Sequence, residues 1–231
     1  MSRAPYLELG AIVVAAGTAS RFGGADKVFA QLAGRPVLEY ALRLLMAERE
    51  VAAIVVVLGP HTLREGSELV ATLGARDVAL CAGGATRAES VRAGLRSLDR
   101  EIGLVAIHDA ARPLASQSLL RRVVAAAREH GAAAPALPIA DTVNRIDDAG
   151  LVCEVIERTN LMVAQTPQVA RRDWLEAALA TASAATDEGS ALVAAGYPLV
   201  TVAGERNNLK LTWPDDLPFA EALLAMQTAR A

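Results

Sequence analysis

Aromatic side chains are nearly missing from this chain: Phe, Tyr and Trp make up 3% of a sequence that is 53% hydrophobic. Alanine and valine must therefore do much of the packing. An excess of positive charge is also missing. The 23 Lys and Arg are outnumbered by 26 Asp and Glu, a net charge of −3, which gives no reason to expect a nucleic-acid partner. Any phosphate site has to be local, a few cations held in a cleft. The two cysteines, Cys81 and Cys153, lie far apart with no C-x-x-C, so neither a zinc site nor a disulfide framework is indicated, and a reducing cytoplasm fits. No apolar run is long enough to span a membrane. Residues 10–17 could be mistaken for a signal-peptide core, but Glu8 precedes them and no basic segment exists beyond Arg3. Repeats, low-complexity tracts and linkers are absent too. The expectation is one cytoplasmic α/β domain spanning residues 1–231, with an extension.

What is present is an alternation of short β-branched runs with amphipathic segments. Ala11–Ala15 reads as a buried strand closed by Gly17. Leu38, Ala41, Leu42 and Leu45 recur at helical spacing behind Pro36, which suits the start of a helix. Ala53–Leu58 is a second strand, Arg64–Leu73 a weaker helix and Val78–Cys81 a short strand. Thr86 followed by Glu89 has capping-box spacing, so a helix starts there. Leu104–His108 is the fourth strand, Ser116–His130 an amphipathic helix and Ala132–Leu137 the fifth strand. The alternation then breaks. Thr142–Ile146 and Leu151–Ile156 flank Asp147-Asp148-Ala149-Gly150 and read as a β-hairpin. A lone hairpin is marginal in water, so this one is expected to be an arm docked on another subunit. A helix over Asp173–Ala182 follows. Thr186-Asp187-Glu188 has the form of an N-cap with early acids, opening a helix through Ala195. Leu199–Val202 is a late strand, Gly204–Thr212 a polar loop leading into another short strand, and Pro214-Asp215-Asp216 starts the last helix.

Three stretches carry chemistry. Gly17 lets a ligand approach the loop that follows the first strand, and such a loop can aim several backbone N–H groups at one anion. Arg21 and Lys27 add full charge. The stretch reads either as a triphosphate cradle or as an ordinary turn with two solvated cations. It is not G-x-G-x-x-G, since Ala19 stands at the second glycine, nor a P-loop, since Phe22 does. Gly83-Gly84 would let backbone come close to a planar base, or simply turn a strand into a helix. Asp109 and Arg112 lie just past a strand's carboxyl end, where open α/β sheets bind ligands. Neighbouring residues on a strand face opposite ways, so if Asp109 faces the cleft His108 is a packed, hydrogen-bonded histidine rather than a base.

Ala15-Ala16-Gly17 with Arg21 and Lys27, Gly83-Gly84 with Arg87 and Ser90, and His108-Asp109-Ala110-Ala111-Arg112-Pro113 come in one order with several later pieces. These are Asp141-Thr142, Arg158, Gln165-Thr166-Pro167-Gln168, Thr186-Asp187-Glu188 and Lys210-Leu211-Thr212. Together, over nearly the whole chain, they resemble the 2-C-methyl-D-erythritol 4-phosphate cytidylyltransferases of the non-mevalonate isoprenoid pathway. The resemblance implies an α/β, Rossmann-like nucleotidyltransferase fold. Its central sheet would be mostly parallel with helices on both faces, and a β-arm at about 141–157 would form a homodimer. It implies CTP as substrate and Mg2+, held mainly by the CTP phosphates with Asp109 as a candidate ligand. Carried over residue by residue, Arg21, Lys27 and Lys210 are catalytic. Ala15, Ala16, Gly17, Thr18, Gly83, Gly84, Ser90 and Asp109 bind CTP. Arg112, Thr142, Arg158, Thr166 and Thr186 bind the acceptor, Thr142 and Arg158 reaching in from the partner's arm. The sequence departs from the family's usual pattern at Ala19, Asp26, Ala85, Asn144 and Gly189. The altered Asn144 leaves a pentitol phosphate such as ribitol 5-phosphate as an alternative acceptor, and the altered loops leave a non-catalytic nucleotide-binding protein as the second alternative.

Overall fold

A computed structural model describes residues 7–17, 22, 26–75, 77–181 and 186–228. Among these, in chain order, the elements of the first half are β1 (Glu8–Ala15), the two-residue strands β2 (Gln31–Leu32) and β3 (Arg35–Pro36), α1 (Val37–Met46), β4 (Val51–Leu58), α2 (Leu63–Thr72), β5 (Val78–Ala82), α3 (Arg87–Ser97) and β6 (Ile102–Asp109). The second half adds α4 (Gln117–His130), β7 (Ala132–Pro138), β8 (Val143–Ile146), β9 (Val152–Ile156), β10 (Met162–Ala164), β11 (Gln168–Arg171), α5 (Arg172–Thr181), α6 (Glu188–Ala194), β12 (Val200–Ala203) and α7 (Asp216–Thr228).

The main sheet runs β10-β7-β11-β6-β1-β4-β5, with β12 also on β7. β1 lies parallel between β4 and β6, and β5 continues the parallel half. Strands buried on both faces need apolar residues at every position, and β1 shows this. Leu9, Ala11 and Val13 pack on one side with Leu38 and Leu42 of α1 and Leu120 and Val123 of α4. Ile12 packs on the other side with Val91 and Leu95 of α3 and Leu175 of α5. Helices therefore cover both faces, as expected. Truncating one of these buried leucines to alanine costs about 2–5 kcal/mol.

Three features differ from the sequence reading. β10 and β11, to which the sequence reading assigns no strand, belong to the main sheet: β11 lies antiparallel between β6 and β7, and β10 is antiparallel on β7. They are short, and Pro167 interrupts the run, so no period shows in the sequence. Among the described residues no strand follows Gly204–Thr212. Instead Leu211, fully buried, donates its N–H to the Ala111 carbonyl at 2.8 Å and joins a small cluster with Leu32, Val37, Leu114 and Ala220. That clamp helps to hold the segment that carries Lys210. Finally, the cap of α6 is Asp187, not Thr186: Asp187 accepts from the Ser190 N–H at 2.8 Å while Ser190 Oγ accepts from the Asp187 N–H at 3.2 Å. The Ala182 end of the expected helix over 173–182 lies outside the described residues.

The hairpin is present as a separate two-stranded antiparallel sheet, β8 with β9. Its turn ends on Gly150 at φ +81°, a left-handed position that favours glycine, and Asp147 Oδ1 accepts from the N–H groups of Ala149 and Leu151 at 2.9 Å each. Cross-strand partners share a face. Asn144 pairs with Val155 and Ile146 with Val152, giving one largely apolar face, while Arg145 pairs with Glu154 on the other at 2.9 Å. No described helix is long and apolar enough to cross a membrane.

Candidate active site

A cleft of about 460 Å³ opens where β1, β4 and β6 end. It is lined by Ala15, Ala16 and Gly17 after β1, by Gly59, Pro60 and His61 after β4, and by Gly84, Arg87 and Ser90 around the start of α3. Asp109 from the end of β6, Lys27 and Lys210 complete it. A larger hollow of about 530 Å³ lies at the opposite end of β6, near Ile102. Two of its arginines are already engaged, Arg171 with Asp173 at 2.8 Å and Arg172 with Glu176 at 2.8 Å, and Arg172 also caps α3 through the Leu95 carbonyl. The strand carboxyl ends are the better placement for a ligand.

Asp109 is the centre of the floor. Lys210 Nζ lies 2.7 Å from its Oδ2, Arg87 Nη2 2.9 Å from its Oδ1, and Arg112 Nε 4.0 Å from Oδ2. Burial alone would push this carboxyl up; the Arg87 and Lys210 cations override it and hold it well below the usual carboxylate range. Arg87 extends the chain of charges further, to the buried carboxylate of Glu188.

Beneath Asp109 the hydrogen bonds run in one direction. The Asp109 N–H donates to Thr166 Oγ1 at 3.0 Å, and Thr166 Oγ1 lies 3.0 Å from His108 Nδ1. His108 Nε2 lies 3.1 Å from the Arg112 carbonyl, which only accepts. Nε2 therefore carries the proton, Nδ1 accepts the Thr166 hydroxyl, and the ring is neutral. Complete burial lowers the His108 pKa to about 4, against opposing pulls from Asp109 and the Arg112 carbonyl. The expectation of a packed, hydrogen-bonded His108 holds. Arg112 is pinned by the carbonyls of Asn208 at 2.8 Å and Ala164 at 3.4 Å.

The expected residues fall into three groups. Ala15, Ala16, Gly17, Lys27, Gly84, Ser90, Asp109 and Lys210 meet in the cleft, with Arg112 and Thr166 bonded directly behind Asp109. Gly83 packs beneath it: a Cβ there would sit 2.4 Å from Ala16 Cβ, so only glycine fits. Ser90 is 3% exposed, and its hydroxyl is spent inside the protein, accepting from the Gly84 N–H at 3.2 Å and donating to the Thr86 carbonyl at 3.0 Å. It shapes the glycine turn. Thr142, Arg158 and Thr186 are exposed and are not among the cleft-lining residues; Arg158 donates to the Ala140 carbonyl at the root of the arm. Thr18 and Arg21 lie outside the described residues. Two residues with no role in the sequence reading, Arg87 and Glu188, belong to the site's charge network. The signal for Arg87 was its place just after the Thr86 cap, which does accept from the Glu89 N–H at 3.1 Å; the Glu89 carboxylate bonds the Ala85 N–H instead of completing the box. Glu188 carried no signal beyond its motif.

Among the described residues no group of three His, Cys, Asp or Glu could hold a metal ion, and both Asp109 oxygens already face cations. The described residues do not form a protein-held metal site.

Cations gathered at the carboxyl ends of parallel strands, beside glycine turns, point to the class of nucleotide-binding transferases on an α/β sheet. The family model for IspD, 2-C-methyl-D-erythritol 4-phosphate cytidylyltransferase, matches residues 9–226, and the chain belongs to that family. It is 38% identical over 219 residues to the 2-C-methyl-D-erythritol 4-phosphate cytidylyltransferase of Dehalococcoides mccartyi strain 195, covering 94% of this chain and 96% of that one. The Frankia casuarinae protein of the same description is 44% identical over 218 residues, covering 93% and 80%. The crystal structure of 4-diphosphocytidyl-2C-methyl-D-erythritol synthase from Anaerococcus prevotii superposes with a TM-score of 0.83 at 28% identity, covering 95% and 96%.

Proposed function

We propose that the cleft carries out the reaction of its family. CMP passes from CTP to 2-C-methyl-D-erythritol 4-phosphate, giving 4-diphosphocytidyl-2-C-methyl-D-erythritol and pyrophosphate. The observation that carries this reading is the meeting of Lys27, Lys210 and Arg87 around one end of the sheet beside the Gly83-Gly84 turn. An acceptor phosphate oxygen forms the new bond to the α-phosphorus of CTP, and the bond to the β-phosphate bridging oxygen breaks. The acceptor is already an anion, so no general base is required, in keeping with a His108 that is neutral and fully bonded. The barrier is charge, anion meeting anion while a third leaves, and it yields to positioning and fixed cations.

In this reading Lys27 and Arg21 meet the triphosphate, and Lys210 meets the phosphates from the opposite wall. Asp109 orients ribose or acceptor hydroxyls, and Arg112 and Thr166 hold the acceptor side. Magnesium would be brought by CTP rather than held by the side chains, and would supply charge neutralisation on the phosphates. Thr142 and Arg158 act on the acceptor of a partner subunit. What supports the arm as a dimer contact is its exposed face of Ile146, Val152 and Val155, more apolar surface than a lone hairpin sustains in water.

The test is pyrophosphate release from CTP and magnesium with methylerythritol phosphate and, in parallel, ribitol 5-phosphate. Release with the first is expected, and Lys27→Ala and Lys210→Ala should each lower kcat by about 100-fold or more, the usual cost of a fixed charge-stabilising donor. CTP binding without release on methylerythritol phosphate would overturn the acceptor assignment.

A further inference from the structure

We propose that Glu188 is a positioning residue for CMP transfer, acting through Arg87 to hold Asp109, and with it Lys210, in register at the floor of the cleft. This rests on the reaction proposed above.

Glu188 is 1% exposed, and acids are almost never buried so completely unless they are paired. Its partner is Arg87, and the two are brought together by fold, not by sequence: each is the first residue of its helix, α6 and α3, and the two helix starts converge from 101 positions apart. The remaining arm of the Arg87 fork goes to Asp109 Oδ1 at 2.9 Å, and Asp109 Oδ2 takes Lys210 at 2.7 Å. The signs alternate along the line Glu188, Arg87, Asp109, Lys210. Arg87, Asp109 and Lys210 line the cleft, whereas Glu188 stands behind them. A guanidinium can serve two carboxylates at once because its donors form a rigid fork; an ammonium cannot hold both in fixed geometry.

The backbone carrying Glu188 is itself locked. Gln168 Oε1 accepts from the Gly189 N–H at 2.8 Å and Gln168 Nε2 donates to Asp187 Oδ2 at 2.8 Å, tying the start of α6 to the first residue of β11. Glu188 also keeps one carboxylate oxygen, Oε2, buried with no hydrogen-bond partner. A group placed only to join two helices would be expected to satisfy both oxygens or to be apolar, because burying a carboxylate is costly and a hydrophobic isostere serves as well. Burial pushes the Glu188 carboxyl up and the Arg87 guanidinium opposes that shift, so the ionised form is tied to the arginine it restrains. Without it, Nη1 of the fork is released toward Asp109 or toward the phosphates that enter the cleft, and Asp109 no longer holds one orientation.

The test is Glu188→Gln, which keeps the shape and one acceptor for Arg87, assayed beside wild type, Arg87→Lys and the double variant. The expected result for Glu188→Gln is a kcat lower by about tenfold or more, with KM for both substrates within about threefold. The second substitution should add little in the Arg87→Lys background, because Glu188 acts only through the arginine. A merely structural residue would instead lower kcat only as the folded fraction falls, and thermal melts at the assay temperature measure that fraction. Unchanged kcat in Glu188→Gln, additive losses in the double variant, or a loss that tracks unfolding would each overturn the proposal. Wild-type turnover separates this from the functional reading. If wild type releases no pyrophosphate the reaction itself is wrong; if wild type turns over and Glu188→Gln does too, only the positioning role is.

Discussion

At the floor of the cleft, Asp109, Thr166 and His108 are polar, buried and bonded to one another within a single chain. In the β8–β9 hairpin the arrangement is reversed: Ile146, Val152 and Val155 are 60%, 57% and 66% exposed on one face, while Arg145 and Glu154 pair on the other. The first region has hidden its polar groups by satisfying them. The second displays apolar groups with nothing described to cover them. A carboxylate buried among three cations is stable by itself. An apolar face is stable only against another surface. Thr142 and Arg158, the proposed acceptor residues, flank this arm, so under the proposal the acceptor side depends on a second copy while the described nucleotide side is built by one chain.

The largest effect is expected from breaking the unfinished half. Val155→Asp puts a charge in the middle of the apolar face. The expected outcome is a shift from dimer to monomer in sedimentation, with kcat/KM for the acceptor phosphate falling by about 100-fold, the scale of a lost charged contact at a reacting centre. CTP affinity, measured by calorimetry, should stay within about twofold, since the nucleotide side is built by one chain. A dimer that survives Val155→Asp with full activity would remove the arm from the site.

The buried half is tested by acid. His108 is neutral in the fold with a pKa of about 4, whereas an exposed histidine titrates near 6.5. Between those values the unfolded chain binds a proton that the folded chain does not. The stability held by the neutral ring is therefore complete above pH about 6.5 and is lost as pH falls toward 4, by about 3 kcal/mol in all. Asp109, held low, adds its own loss only below the ordinary carboxylate range. Urea midpoints taken from pH 7 to pH 5 should fall steadily in wild type and more shallowly in His108→Asn. Equal slopes would mean the histidine is not neutral in the fold.

How much of this the sequence could say follows the same division. The parallel half was legible because its strands are runs of Val, Ile, Leu and Ala, and because Thr86 and Ser116 stand at helix starts where their side chains do cap, Ser116 accepting from the Leu119 N–H at 3.0 Å. The antiparallel insert was not. Gln165 and Gln168 look like surface residues in one dimension, yet each is buried because a partner waits for it; Gln165 trades two bonds with the backbone of Glu205, at 2.9 and 3.0 Å. Polarity is visible in a sequence, and the partner that permits burial is not. Glu188 misled for the same reason, reading as an acid that complements a helix start when its main contact is an arginine far along the chain. Asp109 and Arg112 were legible together just past a strand's carboxyl end, whereas the role of Lys210 came from resemblance to a family and not from spacing.

The smallest expected effect concerns Asp26, one of the departures from the family's usual pattern, which puts an anion beside Lys27. Its Oδ2 lies 3.1 Å from His61 Nε2, and the His61 side chain is 74% exposed at the rim of the cleft. Lys27 Nζ meanwhile lies 3.4 Å from the Leu211 carbonyl, on the segment that carries Lys210. The carboxylate is thus turned toward His61, which holds it by a hydrogen bond at the rim of the cleft. An exposed pair of this kind contributes about 0–1 kcal/mol, so the effect on binding is a fewfold change at most. His61→Ala should raise the KM for CTP by about two- to fivefold, because Asp26 is then left facing an incoming triphosphate. Asp26→Asn in the His61→Ala background should restore it, and the difference should shrink as salt is raised, since exposed charges are screened. A KM that rises in His61→Ala and stays high after the second substitution would mean that the imidazole touches the nucleotide directly and that Asp26 is a bystander.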